Sequence, residues 1–150
     1  ADPGREEEVA TRLARVGYDN AVGYVEGGFE AWQAMGFEID FIPSIGAEEL
    51  FQLTQVNEIN LIDARKPSEF EAEHASIAVN KPLDFIHNEL STLDKNERYY
   101  VHCRSGYRSL IYTSLLKAAG IKDVIDIDGG YVAMQETAIP VTDFSCQSES

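Results

Sequence analysis

From Phe41 onward, short runs of β-branched and apolar residues alternate with segments whose apolar positions recur at helical spacing. Ile45-Gly46 leads into Ala47-Glu48-Glu49-Leu50-Phe51-Gln52-Leu53, an amphipathic helix in pattern. Ile59-Asn60-Leu61-Ile62-Asp63 follows as a β-rich run. Pro67 then stands where a first helical turn tolerates proline, opening a helix over 67–72. Residues 84–90 read as helix, with Phe85, Ile86 and Leu90 apolar. A strand over 98–102 comes next, then a helix over 109–119 that stops at Gly120 with Lys117 in its last turn. Val124-Ile125-Asp126-Ile127 reads as a strand and residues 130–135 as a short closing helix. This alternation predicts an α/β domain over 41–141, an open and mainly parallel sheet flanked by helices. Residues 142–150 are polar and are expected to form a disordered tail.

The N-terminal part of the chain echoes the last third of that pattern. A helix over 5–16 carries Val9, Ala10, Leu13 and Val16 on one face, and Ala21-Val22-Gly23-Tyr24 reads as a short strand. A second helix over 28–35 places Phe29, Trp32 and Met35 at helical spacing, with Trp32 read as a core residue. Gly27-Gly28-Phe29-Glu30-Ala31-Trp32 matches Gly129-Gly130-Tyr131-Val132-Ala133-Met134 in pattern. Leu13-Ala14-Arg15-Val16-Gly17 parallels Leu116-Lys117-Ala118-Ala119-Gly120 at a nearly constant offset, which carried back pairs Gly4-Arg5 with Tyr107-Arg108. The competing reading is two unrelated helix–strand–helix pieces that share Gly-Gly by chance. A piece with so little sheet is expected to pack on the complete unit, to pair with a second copy through residues 1–40, or to belong with further sequence.

Chemistry gathers at His102-Cys103-Arg104-Ser105-Gly106-Tyr107-Arg108-Ser109. A cysteine between a predicted strand and a predicted helix faces backbone N–H groups and the positive end of the helix dipole, and both favour the thiolate. Gly106 lets the backbone curl inward, and Arg104 and Arg108 add positive charge. The competing reading of Cys103 is a buried structural cysteine. Asp63 and Cys103 both fall at predicted strand ends, the edge where open α/β sheets gather ligands. His102 precedes the cysteine on a strand, so its side chain should point the other way, as a packed structural histidine. His74 and His87 are isolated, so no metal is expected, and no phosphate-loop or dinucleotide fingerprint is present.

Residues 103–108 resemble the active-site loop of the rhodanese family of sulfurtransferases. Leu61-Ile62-Asp63-Ala64-Arg65, Glu69-Phe70, His74 and Asn80-Lys81-Pro82-Leu83 are similar to that family's first signature region, and Asp128-Gly129-Gly130-Tyr131 to its closing turn. The departures are Glu73 in place of a glycine, Ala75-Ser76 in place of Ile-Pro, and Tyr131 in place of tryptophan. The resemblance implies a rhodanese-like fold and a Cys103 nucleophile that takes a sulfane sulfur from thiosulfate or a small persulfide. The persulfide on Cys103 then passes that sulfur to a thiol or another acceptor, with no cofactor. It implies that the N–H groups of Arg104, Ser105, Gly106, Tyr107, Arg108 and Ser109 cradle the anionic sulfur. Arg104 is then assigned to donor or product anions, and Arg108 to a loop-holding ion pair for which Asp63 is one candidate partner. Arg65 either completes a network with Asp63 or is purely structural. Residues 1–40 become the C-terminal part of a second, degenerate rhodanese-like unit, and the opening residues resemble rhodanese fusions to a metallo-β-lactamase-fold domain, an expected upstream partner. Protein tyrosine phosphatases, the nearest rival, place five residues between cysteine and arginine; here four lie between Cys103 and Arg108. A non-enzymatic persulfide carrier or protein-binding module is the other alternative.

Composition narrows the partners. A formal charge of −14 argues against nucleic acid and anionic membranes, and no apolar run approaches a membrane span. Two cysteines, Cys103 and Cys146, do not make a disulfide framework, which fits a reducing, cytoplasmic setting. Cys146 is read as a spare thiol. The chain opens on Ala1 rather than methionine and is expected to be a fragment or a processed product.

Overall fold

Two units divide the chain, Ala1–Phe41 and Ile42–Ser150, in a computed structural model that describes residues 2–17, 20–21, 23–24, 26–36 and 40–143. In the first unit, α1 (Glu6–Arg15) carries Glu6, Glu7 and Glu8 in its first turn and Arg12 and Arg15 in its last. Each sign complements the helix dipole. α2 (Gly28–Ala34) follows from Gly27, which is left-handed. The strand expected at 21–24 includes Val22, outside the described residues. Neither helix contains a buried residue, and Trp32, expected in a core, is 38% exposed. Two short helices enclose no interior of their own.

The second unit runs β1 (Ser44–Ile45), α3 (Ala47–Thr54), β2 (Asn60–Asp63), α4 (Pro67–Ala72), β3 (Glu73–Ala75) and β4 (Ala78–Asn80). A 3-10 turn (Leu83–Phe85), α5 (Ile86–Glu89), β5 (Tyr99–His102), α6 (Tyr107–Ala118), β6 (Val124–Ile127), α7 (Gly130–Met134) and β7 (Val141–Asp143) complete it. A five-stranded sheet has the order β1-β6-β5-β2-β4 with every neighbouring pair parallel. β3 and β7 form a separate antiparallel pair.

Two expectations need correction. The helix over 84–90 is a 3-10 turn followed by a short helix, the turn closed by Phe85 N donating three residues back to Pro82 O at 3.0 Å. The polar tail does not start at 142, because Thr142 and Asp143 extend β7 against His74 and Glu73. Residues 144–150, Cys146 among them, lie outside the described residues.

Strand alternation sorts the core onto two faces. Ile62, Val101 and Val124 pack with Cys103, Tyr112, Leu116 and Ile121 under α6. Leu61, Tyr100 and Ile127 pack with Leu50 and Met134 on the side of α3 and α7. Cys103 therefore leaves β5 on the α6 face, whereas His102 and Asp63 occupy the other. No helix among the described residues is long and apolar enough to cross a membrane.

Candidate active site

Cys103 follows the last residue of β5, and the chain then turns into α6 through Gly106, left-handed at φ 105°. That turn aims amide hydrogens at the sulfur: Gly106 N lies 3.1 Å from Cys103 Sγ. Ser109 Oγ stands 3.7 Å from the same sulfur and donates to Gly106 O at 3.1 Å. Cys103 is 1% exposed, and burial alone would push its thiol up. The N–H groups of Ser109, Gly106 and Ser105, with the Ser109 hydroxyl, outweigh burial and hold the thiol below its usual value. Of the six N–H groups expected from the sequence to face the sulfur, those of Ser105, Gly106 and Ser109 act on it.

The outward carbonyls of the loop are secured from α7. Tyr131 N donates to Cys103 O at 2.7 Å and Val132 N to Arg104 O at 3.1 Å, which leaves the loop amides free to face inward. This approach requires glycine at 130. A Cβ there would sit 2.6 Å from Cys103 O and 2.8 Å from Arg104 C.

Arg108 finds a different partner from the one expected. Its guanidinium grips Glu69 in a two-pronged pair, Nη1 to Oε2 at 2.6 Å and Nη2 to Oε1 at 3.0 Å, not Asp63. Glu69 also accepts from Lys66 N at 3.1 Å, so the start of α4 is tied to the cysteine loop. The Arg108 hydrogen bonds, working against burial, lower the Glu69 carboxyl to about 2. Asp63 is fully committed elsewhere. Arg65 donates to it from Nε at 2.9 Å and Nη2 at 2.7 Å, and from its own backbone N at 2.9 Å. Both side chains are buried, which shields the pair from solvent screening.

Arg65 also stacks 4.0 Å over the Tyr131 ring and donates to Glu73 O. Tyr131 in turn donates its hydroxyl to Glu73 Oε1. Two of the departures from the family pattern, Glu73 and Tyr131, thus satisfy one another. His102 lies on this face, buried, with Nδ1 3.1 Å from Cys103 O and Nε2 3.7 Å from Asp63. Burial lowers its pKa against the pull of Asp63, and its side chain points away from that of Cys103, as its strand position implies.

The structure brings together Cys103, Ser105, Gly106, Arg108 and Ser109. Arg104 and Tyr107 are exposed, and Asp63 and Arg65 stand behind the loop on the opposite sheet face. Glu69 and Gly130, which hold and shape the cysteine loop, were missed by site reasoning from the sequence. A glutamate three residues after Lys66, just behind Pro67, carries a helix-capping signal that could have marked Glu69 as fixed in place. Among the described residues no group of His, Cys, Asp and Glu is placed to hold a metal ion.

A family model described as Rhodanese-like domain matches residues 46–137. Thiosulfate sulfurtransferase 16, chloroplastic, of Arabidopsis thaliana is 34% identical over 53% of this chain and 76% of its own length. A putative sulfur carrier protein of Bacillus subtilis, YrkF, is 32% identical over 59% of this chain and 49% of its own. The crystal structure of a Rhodanese-like domain protein from Staphylococcus aureus superposes with a TM-score of 0.59 at 31% identity, covering 62% of this chain and 91% of that one. The chain spans about half the length of the first curated relatives it matches.

Proposed function

The chain belongs to the rhodanese-like family, and from that premise we propose that it is a sulfurtransferase working through a persulfide on Cys103. One observation carries this reading: the Cys103 sulfur receives amide hydrogens in a loop that holds the thiol down without a neighbouring base. The thiolate attacks the outer sulfur of thiosulfate; the S–S bond breaks, sulfite leaves with the bonding pair, and Cys103 keeps the transferred sulfur as a persulfide anion. An acceptor thiolate then attacks that outer sulfur, forming a new persulfide and restoring the Cys103 thiolate. The scheme is covalent and two-staged. The inward amides stabilise the persulfide anion as an oxyanion hole stabilises oxygen. Arg104, exposed at the loop mouth, is the group that meets donor and product anions.

A carrier without turnover is the second reading, and the likeness to YrkF favours it. Phosphatase chemistry is disfavoured by the shorter loop. The N-terminal unit belongs to the same proposal, as the C-terminal part of a second, degenerate rhodanese-like unit. Support comes from repeated glycine conformations: φ 97° at Gly17 against 93° at Gly120, and 81° and 65° at Gly27 and Gly28 against 73° and 57° at Gly129 and Gly130. The metallo-β-lactamase-fold companion rests on the resemblance of the opening residues and of Tyr24-Val25-Glu26-Gly27-Gly28-Phe29.

Intact-protein mass after brief exposure to thiosulfate, then to cyanide, tests the central reading. One sulfur atom is gained and then lost, Cys103→Ser gains none, and Cys146→Ser gains it normally. Loading that survives Cys103→Ser sinks the assignment. Loading without transfer to added thiols selects the carrier.

A further inference from the structure

The Cys103 face of the sheet holds a carboxyl that the transfer steps above leave unused. Val124 packs in the core cluster beneath α6, so Asp126, two residues along β6, points to the same side. Its register partners are Val101 on β5 and Ser44 on β1. Asp126 is 4% exposed, and its Oδ1 has no hydrogen-bond partner. Valine would suit a purely structural position there, because leaving a buried polar oxygen without a partner is destabilising. Burial lifts the Asp126 carboxyl above its usual range and Asp128 adds repulsion, while the hydroxyls of Ser109 and Ser44 pull the other way. Arg108, on the same first turn of α6, is turned away onto Glu69.

Ser109 links this carboxyl to the nucleophile. It is fully buried, its hydroxyl stands 3.7 Å from Cys103 Sγ, and the same hydroxyl favours the charged form of the Asp126 carboxyl. A serine hydroxyl has one proton to give. Here three acceptors compete for it: Gly106 O, the Asp126 carboxyl and the Cys103 sulfur.

We propose that Asp126 is a positioning residue for the nucleophile, its buried carboxyl deciding through Ser109 whether the hydroxyl proton nearest the sulfur is given to Cys103 or held back. A carboxyl that carries its proton donates to Ser109 Oγ and frees the serine proton for the thiolate or the persulfide. A carboxylate takes that proton for itself. Only hydrogen bonds are rearranged; no bond to sulfur forms or breaks through Asp126. The proposal rests on Cys103 acting as the nucleophile.

The test follows alkylation of Cys103 by iodoacetamide across pH, in the full chain carrying Cys146→Ser so that one thiol reacts. Asp126→Asn keeps the shape and can donate to Ser109 at every pH. It is expected to move the alkylation profile to lower pH, with a roughly threefold faster reaction at the parent's half-maximal pH. In a Ser109→Ala background the same substitution is expected to leave the profile where Ser109→Ala alone puts it. A shift that persists undiminished without Ser109 overturns the proposal, as does an upward shift or none. Should Asp126→Asn fail to fold, Asp126→Ser is read in its place with the same expected direction. Failure of the parent to load sulfur from thiosulfate would defeat the sulfurtransferase reading instead, and the alkylation profiles would still report on Asp126.

Discussion

At Gly27 and at Gly129 the chain makes the same left-handed turn, and at each an added Cβ would press on the alanine four residues ahead, Ala31 at 2.9 Å and Ala133 at 2.7 Å. The helices that follow fare differently. α7 buries Gly130, Tyr131 and Met134, whereas α2 buries nothing. The paired arginines differ in the same way. Arg5 binds Glu8 within its own helix at 3.0 Å, both side chains well exposed. Arg108 reaches Glu69 from a distant segment and ties two elements of the active site together. Local sequence thus reproduces the turn and the charge, but a sheet edge and a distant carboxylate turn them into a site.

The largest expected effect comes from Gly130→Ala. The left-handed backbone costs about 1–2 kcal/mol, and the clash with the loop carbonyls adds a further 1–3 kcal/mol. Sulfur loading should fall at least a hundredfold alongside a lowered unfolding midpoint. Gly27→Ala also puts a side chain on a left-handed backbone, but there the added Cβ meets Ala31 of the helix that follows it, so its loading should match the parent. Equal losses at both positions would break the contrast.

Next, Met134→Ala should lower stability by roughly 2–4 kcal/mol, since the side chain is 1% exposed in a packed core. Trp32→Ala should cost less than about 1 kcal/mol in urea melts followed by circular dichroism. A comparable cost at Trp32 would show that its surroundings hold it as firmly as the core holds Met134, despite its exposure.

The smallest effect lies in the ion pairs. Glu69 titrates near 2 in the fold against an ordinary 4.5, so it stabilises the folded state above about pH 4.5 and loses that contribution as pH falls toward 2. About 2 kcal/mol rides on this window. Glu69→Gln should flatten the acid limb of a stability–pH curve, and Glu8→Gln should leave it unchanged. An unaltered acid limb in Glu69→Gln would mean that Arg108 gains little from this partner.

Much of the site could be read before the fold was known because it is contiguous. Cys103 to Ser109 specify strand end, turn and helix start by local rules, and the inward amides follow from Gly106. The partner of Arg108 could not be read this way, since α4 and the loop meet only through the order of β5 and β2 in the sheet. β3, β4 and β7, with three residues each, are too short for alternation to show. The polar ending hid β7, whose pairing depends on Glu73 and His74 rather than on its own apolar content. Asp126 was legible only as one letter of a strand, because burial of its face is decided by α6 lying over it.

The amides that hold the carbonyls of Cys103 and Arg104 belong to Tyr131 and Val132, far along the chain from the cysteine itself. A ribosome therefore releases the cysteine well before it releases the clamp, and before β6 can take its place between β1 and β5. Until then the loop lacks that clamp, and the thiol of the unfolded chain keeps the ordinary acidity of free cysteine, near 8.5. Oxidants and persulfides that meet the nascent chain find a sluggish sulfur. The low thiol pKa arrives only when α7 closes on the loop, so a segment made after the cysteine sets the cysteine's acidity.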